Sequence, residues 1–317
     1  MWVDRYKLTH LNSLSVITND PSPLPNEPVI TPETQPEISV TQTTATERPD
    51  RWRELIKAFA AWIGSIAFLL FVPLIFIVPY FIYLALSKRM PAGEAIVQDK
   101  TFLLLSIIAV IPAHLLTLLL AWLLVTNWRR RSFAQTLGLS WPAGVAPWKA
   151  VSLSFLVAIL LLGVGVLITN LLGGGKTDLD RLIESSYQAR IATAIVAILT
   201  APFVEEVIYR GMLYAALEKV AGMAWSIAIV SILFAGVHVL QYKNNIGVIL
   251  AITILSVTLT AIRAFSGKLL PSIVIHLIFN GLQSVYLILE PYIRKPENVQ
   301  PAPALIDLYR SLHHLLF

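Results

Sequence analysis

The chain has 317 residues, of which 56% are hydrophobic and only 14% charged, with a net charge of +5 and no cysteine. Soluble domains carry about 25% charged residues, so the composition excludes an ordinary soluble protein and predicts an all-α, polytopic membrane helix bundle. The lack of cysteine excludes thiol nucleophiles and thiolate metal ligands. The basic residues lie beside apolar runs, which indicates membrane orientation rather than nucleic-acid binding.

The pattern along the chain predicts a disordered cytoplasmic tail at 1–57, because its first 50 residues lack an apolar core and are rich in Pro, Thr, Ser and Glu. Seven apolar runs follow, and an eighth span would fit only if the long first run held two. A polar loop is expected at 176–190, and an amphipathic tail at 301–317. The amino-terminal transmembrane helices (58–172) comprise the runs 58–87, 101–126 and 150–172, and a second group (190–290) comprises 191–217, 223–240, 246–262 and 269–289.

Basic residues set the expected orientation. Several precede the first run, and three consecutive arginines, 129–131, follow the second. Because cytoplasmic loops are enriched in Lys and Arg, the amino terminus is expected in the cytoplasm. The chain is therefore expected to be an integral membrane protein, of the plasma membrane if it is bacterial.

Two adjacent carboxylates stand out inside the apolar runs. Glu205 and Glu206 lie within 191–217, where a charged group costs on the order of 2.5–3.5 kcal/mol on insertion scales. Arg210 follows Glu206 by four residues, so these two side chains can pair on one helix face. Glu205 is turned by about 100° on the helix, which leaves it free to face a cavity and to act as a general base.

Two histidines and an asparagine accompany this pair. His238 ends the run 223–240, and His276 and Asn280 lie within 269–289. The spacing of four places His276 and Asn280 on one helix face. His114, in the run 101–126, has no such company and is interpreted as a packing residue.

These residues form three motifs in order: Glu205-Glu206-x-x-x-Arg210, Phe234-x-x-x-His238 and His276-x-x-x-Asn280. Together they resemble the CPBP family, which comprises the type II CAAX prenyl endopeptidases and bacterial Abi relatives, including bacteriocin-processing and self-immunity proteins. The resemblance covers roughly 190–290, and Tyr209 stands where the family often has Phe.

The resemblance implies an intramembrane endopeptidase that acts on a peptide or membrane-protein substrate in the lipid bilayer, without nucleic acid. Glu205 would activate water, and His238 would bind or polarise that water. His276 and Asn280 would hold the water and stabilise the oxyanion. Glu206, Arg210 and Phe234 would be supporting residues.

Two questions stay open at this level. Glu205, His238 and His276 are also the ligand types of a catalytic zinc site, so the cofactor is either none or a divalent metal such as zinc. The alternative functions are a non-catalytic membrane scaffold or bacteriocin self-immunity protein, and a transporter or proton pathway.

Overall fold

A computed structural model describes residues 50–91 and 93–293, which are helical with connecting turns and contain no β-strand. The predicted all-α class is therefore confirmed. The helices are α1 (Arg51–Leu86), a short 3₁₀ helix (Gly93–Gln98), α2 (Lys100–Ile108), α3 (Val110–Val125), α4 (Phe133–Leu137), α5 (Pro147–Leu172), α6 (Asp178–Glu184), α7 (Tyr187–Leu199), α8 (Ala201–Glu205), a π-helix (Glu206–Tyr214), α9 (Ala215–Tyr242), α10 (Ile246–Ser266) and α11 (Leu270–Ile293).

Six helical stretches of the described chain are long and apolar enough to cross a membrane. They are Arg51–Leu86, Lys100–Val125, Pro147–Leu172, Tyr187–Tyr242, Ile246–Ser266 and Leu270–Ile293. Many of their large apolar side chains are exposed, as expected of a surface that contacts lipid. The fold is thus a polytopic helix bundle.

The longest stretch, Tyr187–Tyr242, has 56 residues and folds back on itself at Gly222. Gly222 has φ 76° and ψ 171°, a backbone conformation that is essentially restricted to glycine. The Arg210 guanidinium lies 4.6 Å from the centre of the Phe234 ring, whereas a continuous helix would separate these residues by about 36 Å. The stretch therefore forms two arms that pack together, which matches the two separate runs expected from the sequence.

Two predicted boundaries are wrong. The helix α1 begins at Arg51, so 51–57 is helical rather than part of a disordered tail; the Asp50 side chain caps it by accepting from the Trp52 backbone N–H at 3.0 Å. The predicted loop 176–190 contains α6, which begins with a capping box between Thr177 and Asp180. Residues 1–49 of the predicted tail, and the amphipathic tail 301–317, lie outside the described residues.

The π-helix lies at the centre of the bundle, and all nine of its residues are buried. Its apolar side chains, including Val207, Ile208 and Leu213, belong to a hydrophobic core shared with α1, α3, α9 and the start of α11. π-Helical segments are rare and are frequently found at functional sites. Glu206 and Arg210 therefore lie in the protein interior, on a helix that neighbouring helices surround.

Candidate active site

Arg210 is the centre of a buried polar network. Its Nη1 donates to Glu206 Oε1 at 2.9 Å, and both side chains are fully buried. Its remaining donors contact α10: Nε donates to the Thr260 hydroxyl at 3.1 Å, and Nη2 donates to the Ser256 hydroxyl at 2.8 Å and the Ser256 carbonyl at 3.1 Å. A buried guanidinium is costly unless its N–H groups are paired, and here each of its three nitrogens donates to an oxygen.

Phe234 connects this network to the two histidines. The Arg210 guanidinium lies 4.6 Å from the Phe234 ring centre, within the range of a cation–π contact. The same ring contacts Tyr209 at 5.0 Å, His238 at 4.8 Å and His276 at 6.2 Å between ring centroids. Phe234, which is 2% exposed, thus fixes the relative positions of residues from three helices.

His276 lies between the two carboxylates. Its Nδ1 is 2.9 Å from Glu206 Oε1, and its Nε2 is 3.7 Å from Glu205 Oε2. A carboxylate accepts this hydrogen bond, so Nδ1 carries the proton and donates it to Glu206. The distance of 3.7 Å to Glu205 is too long for a direct hydrogen bond and suits two groups that contact the same water molecule.

Glu205 differs from Glu206 in its surroundings. Its side chain is 22% exposed, against 0% for Glu206, and it faces a cavity of about 420 Å³. This cavity is walled by α1, α2, α3, α6, α7, α8, the π-helix, α9 and α11, and most of its surface is apolar. The polar side chains in its lining are Ser65, Ser106, His114, Thr117, Thr193, Glu205, Tyr209, His238, Gln241, Tyr242 and Asn280.

His238 and Asn280 both line this cavity. His238 Nδ1 lies 2.7 Å from the Phe234 carbonyl, so it donates to that oxygen, and Nε2 is the free ring nitrogen. The helix α9 continues to Tyr242, beyond the apolar run, and His238 lines the same cavity as Glu205. The Asn280 Nδ2 donates to the Ala197 carbonyl at 3.0 Å, in the last turn of α7.

Two of the other lining residues, His114 and Tyr209, make hydrogen bonds to neighbouring helices. His114, which is 5% exposed, has Nδ1 2.8 Å from the Thr200 hydroxyl. Tyr209 accepts a hydrogen bond from Trp62 Nε1 at 3.1 Å. His114, interpreted from the sequence as a packing residue, is buried and bonded to Thr200, and it also lines the Glu205 cavity. Its charge-poor apolar run gave no signal of this, whereas Tyr209 could have been found from its spacing of four after Glu205.

The three candidate metal ligands are Glu205, His238 and His276. In the part of the chain that the structure describes, no three His, Cys, Asp or Glu side chains form a group that could hold a metal ion. One nitrogen of His276 is engaged by Glu206 and the other lies 3.7 Å from Glu205. Within the described residues, the side chains of Glu205, His238 and His276 are therefore not grouped as the three ligands of one metal ion.

These features define an integral membrane protein with a polar chamber inside a helix bundle. Residues 187–282 match the family model described as Type II CAAX prenyl endopeptidase Rce1-like. The match includes all three motifs and confirms the predicted resemblance to the CPBP family. At the level of the family, it supports a CAAX-protease-like intramembrane endopeptidase. No curated protein and no solved structure matches the chain significantly.

Proposed function

We propose that this protein is an intramembrane endopeptidase that hydrolyses a peptide bond with water activated by Glu205. The observation that carries the proposal is the division between two adjacent carboxylates. Glu206 is buried and held by Arg210 and His276, whereas Glu205 faces the cavity. A carboxylate that is free to accept a proton, next to one that is fixed, is what general base catalysis requires.

The chemistry follows from Glu205, His238 and Asn280, which face the cavity, and from His276, whose Nε2 lies 3.7 Å from Glu205 Oε2. Water attacks the carbonyl carbon of the substrate while its proton passes to the Glu205 carboxylate, and the carbonyl π electrons move to oxygen. The His276 Nε2 and the free His238 nitrogen orient the water, and the second N–H of Asn280 donates to the oxyanion. When the C–N bond breaks, the proton on Glu205 passes to the departing amine. Donors fixed before the reaction stabilise the charge without reorganisation.

The substrate class follows from the wall of the cavity, which is mostly apolar around a few polar groups. Such a wall accommodates a peptide with apolar side chains, from a membrane protein or a lipid-associated polypeptide. The basic residues that precede and follow the first two spans favour a cytoplasmic amino terminus. In a bacterium the protein would lie in the plasma membrane.

The experiment compares cells that produce the wild-type chain with cells that produce Glu205→Gln, by mass spectrometry of the termini of membrane polypeptides. The expected result is a set of new termini that depend on Glu205. The matched control is Glu218→Gln, since Glu218 accepts a hydrogen bond from the Tyr214 hydroxyl at 2.8 Å and does not line the cavity. This variant should give the same termini as the wild type.

Other outcomes identify the alternative functions. If both variants and the wild type give the same termini, the peptidase proposal fails, and a scaffold or self-immunity role would show as a phenotype that Glu205→Gln retains. Proton or solute flux in proteoliposomes that requires Glu205 would instead indicate a transporter. A parallel incubation of the purified protein with a chelator tests the arrangement of ligands: cleavage is expected to persist, and loss restored by zinc would contradict a mechanism without metal.

A further inference from the structure

Tyr209 is placed beside the proposed base. It follows Glu205 by four residues and therefore lies on nearly the same face of the helix, and both residues line the same cavity. Glu205 is close enough to interact electrostatically with the Tyr209 hydroxyl. The Tyr209 ring packs edge-on against Phe234 at 5.0 Å, so the side chain is 5% exposed and held in one position.

The hydrogen bond to Tyr209 fixes which part of its hydroxyl remains available. Trp62 Nε1 lies 3.1 Å from the Tyr209 oxygen, and an indole nitrogen is a donor only. The Tyr209 oxygen is therefore the acceptor in this bond, and its own proton is left to donate. Among the described residues, no acceptor lies within hydrogen-bond distance of that proton.

The histidines and the asparagine of the motifs have few donors left for an oxyanion. The Nδ1 proton of His276 is donated to Glu206, and the Nδ1 proton of His238 is donated to the Phe234 carbonyl. One of the two N–H groups of Asn280 is donated to the Ala197 carbonyl. Among the motif residues that face the proposed water, a single N–H, that of Asn280, is left for the substrate oxygen, whereas oxyanion sites in acyl transfer commonly combine two donors.

We propose that the Tyr209 hydroxyl is the second oxyanion donor of this site, and that Trp62 is the positioning residue that aims it. This inference rests on the proposed peptidase function. In the step concerned, the substrate carbonyl oxygen gains an electron pair as water adds, and it accepts a hydrogen bond from the Tyr209 O–H. The proton stays on Tyr209 throughout, so no further acid, base or cofactor is needed.

The test uses the full-length protein in proteoliposomes and an internally quenched peptide that spans a cleavage site found from the Glu205-dependent termini. Loss of one oxyanion donor lowers kcat by about 10²–10³-fold, so Tyr209→Phe should lower kcat about a hundredfold and leave KM within about twofold. Trp62→Phe retains the hydroxyl but not its orientation, and we expect a smaller fall in kcat. Tyr214→Phe removes a tyrosine hydroxyl outside the cavity, which is bonded to Glu218, and should retain wild-type kcat.

The outcomes separate this inference from the proposed function. If Glu205→Gln abolishes cleavage but Tyr209→Phe has wild-type kcat, the role of Tyr209 is wrong and the peptidase stands. A rise in KM at unchanged kcat would also overturn it, because it would indicate ground-state binding. If Glu205→Gln cleaves normally, the peptidase proposal fails and this inference fails with it.

The double variant Trp62→Phe/Tyr209→Phe is the control for a loss of stability. It removes both hydrogen-bonding partners, so it leaves no buried donor without an acceptor. Its kcat should equal that of Tyr209→Phe. A double variant that recovers wild-type kcat would show that the single variant had only disturbed packing, and would overturn the proposal.

Discussion

Substitution of Glu206 by Gln should destabilise the protein, whereas the same substitution at Glu205 should not. Glutamine keeps the shape of the side chain and one acceptor oxygen, so the change removes mainly the negative charge. At position 206 this leaves the Arg210 guanidinium, 0% exposed and 2.9 Å away, without its counterion. At position 205 the side chain faces the cavity and makes no hydrogen bond to Arg210.

The expected magnitude follows from the burial of the pair. Loss of one partner from a buried ion pair costs about 3–5 kcal/mol, and the bonds from Arg210 to Ser256 and Thr260 do not supply the missing charge. At about 2–4 °C per kcal/mol, Glu206→Gln should lower the unfolding temperature by roughly 6–20 °C. Glu205→Gln should change it by less than about 4 °C, because a partly exposed carboxylate contributes about 1 kcal/mol or less.

The assay is thermal unfolding of the purified variants in one detergent, followed by the fluorescence of the eight tryptophans. Arg210→Met and the double variant Glu206→Gln/Arg210→Met complete a double-mutant cycle. Because the double variant buries no unpaired charge, its loss should be smaller than the sum of the two single losses. Equal shifts for Glu205→Gln and Glu206→Gln, or additive losses in the cycle, would refute the division of roles between the two carboxylates.

Three further predictions concern the scaffold, each measured as an unfolding temperature. Gly222→Ala should cost about 1–3 kcal/mol, because its φ of 76° with ψ of 171° suits glycine alone; Gly236→Ala, in open space within α9, is the matched control and should be neutral. Gly247→Ala should cost about 1–3 kcal/mol, because its Cβ would lie 2.8 Å from the Thr169 Cα and α10 would have to move from α5. Arg190→Met should cost about 1–3 kcal/mol, since Arg190 Nη1 donates to a backbone carbonyl of α11 at 2.6 Å and to a carboxylate there at 2.9 Å. An unchanged unfolding temperature would contradict the corresponding contact, and so would a Gly236→Ala shift as large as that of Gly222→Ala.

Local features of the chain were predictable because their signals are local. The apolar runs fixed the membrane helices within a few residues, and the spacing of four predicted that Glu206 would face Arg210. The contacts that complete the cavity depend on tertiary packing. Trp62 meets Tyr209 across 147 residues, and His114 meets Thr200 across 86. No period or spacing within one helix carries that information.

The Glu206–Arg210 pair also determines how the chain can be assembled during synthesis. Both residues leave the ribosome before the groups that complete their hydrogen bonds: Ser256 follows Arg210 by 46 residues, and His276 follows Glu206 by 70. During that interval each is the other's partner on one newly inserted helix, which lowers the cost of two charges in lipid. The arrival of α10 and α11 then completes the network. Nascent chains that stop before α10 should therefore lack part of this network, and we expect the buried charges to be fully compensated only when the last two helices are in place.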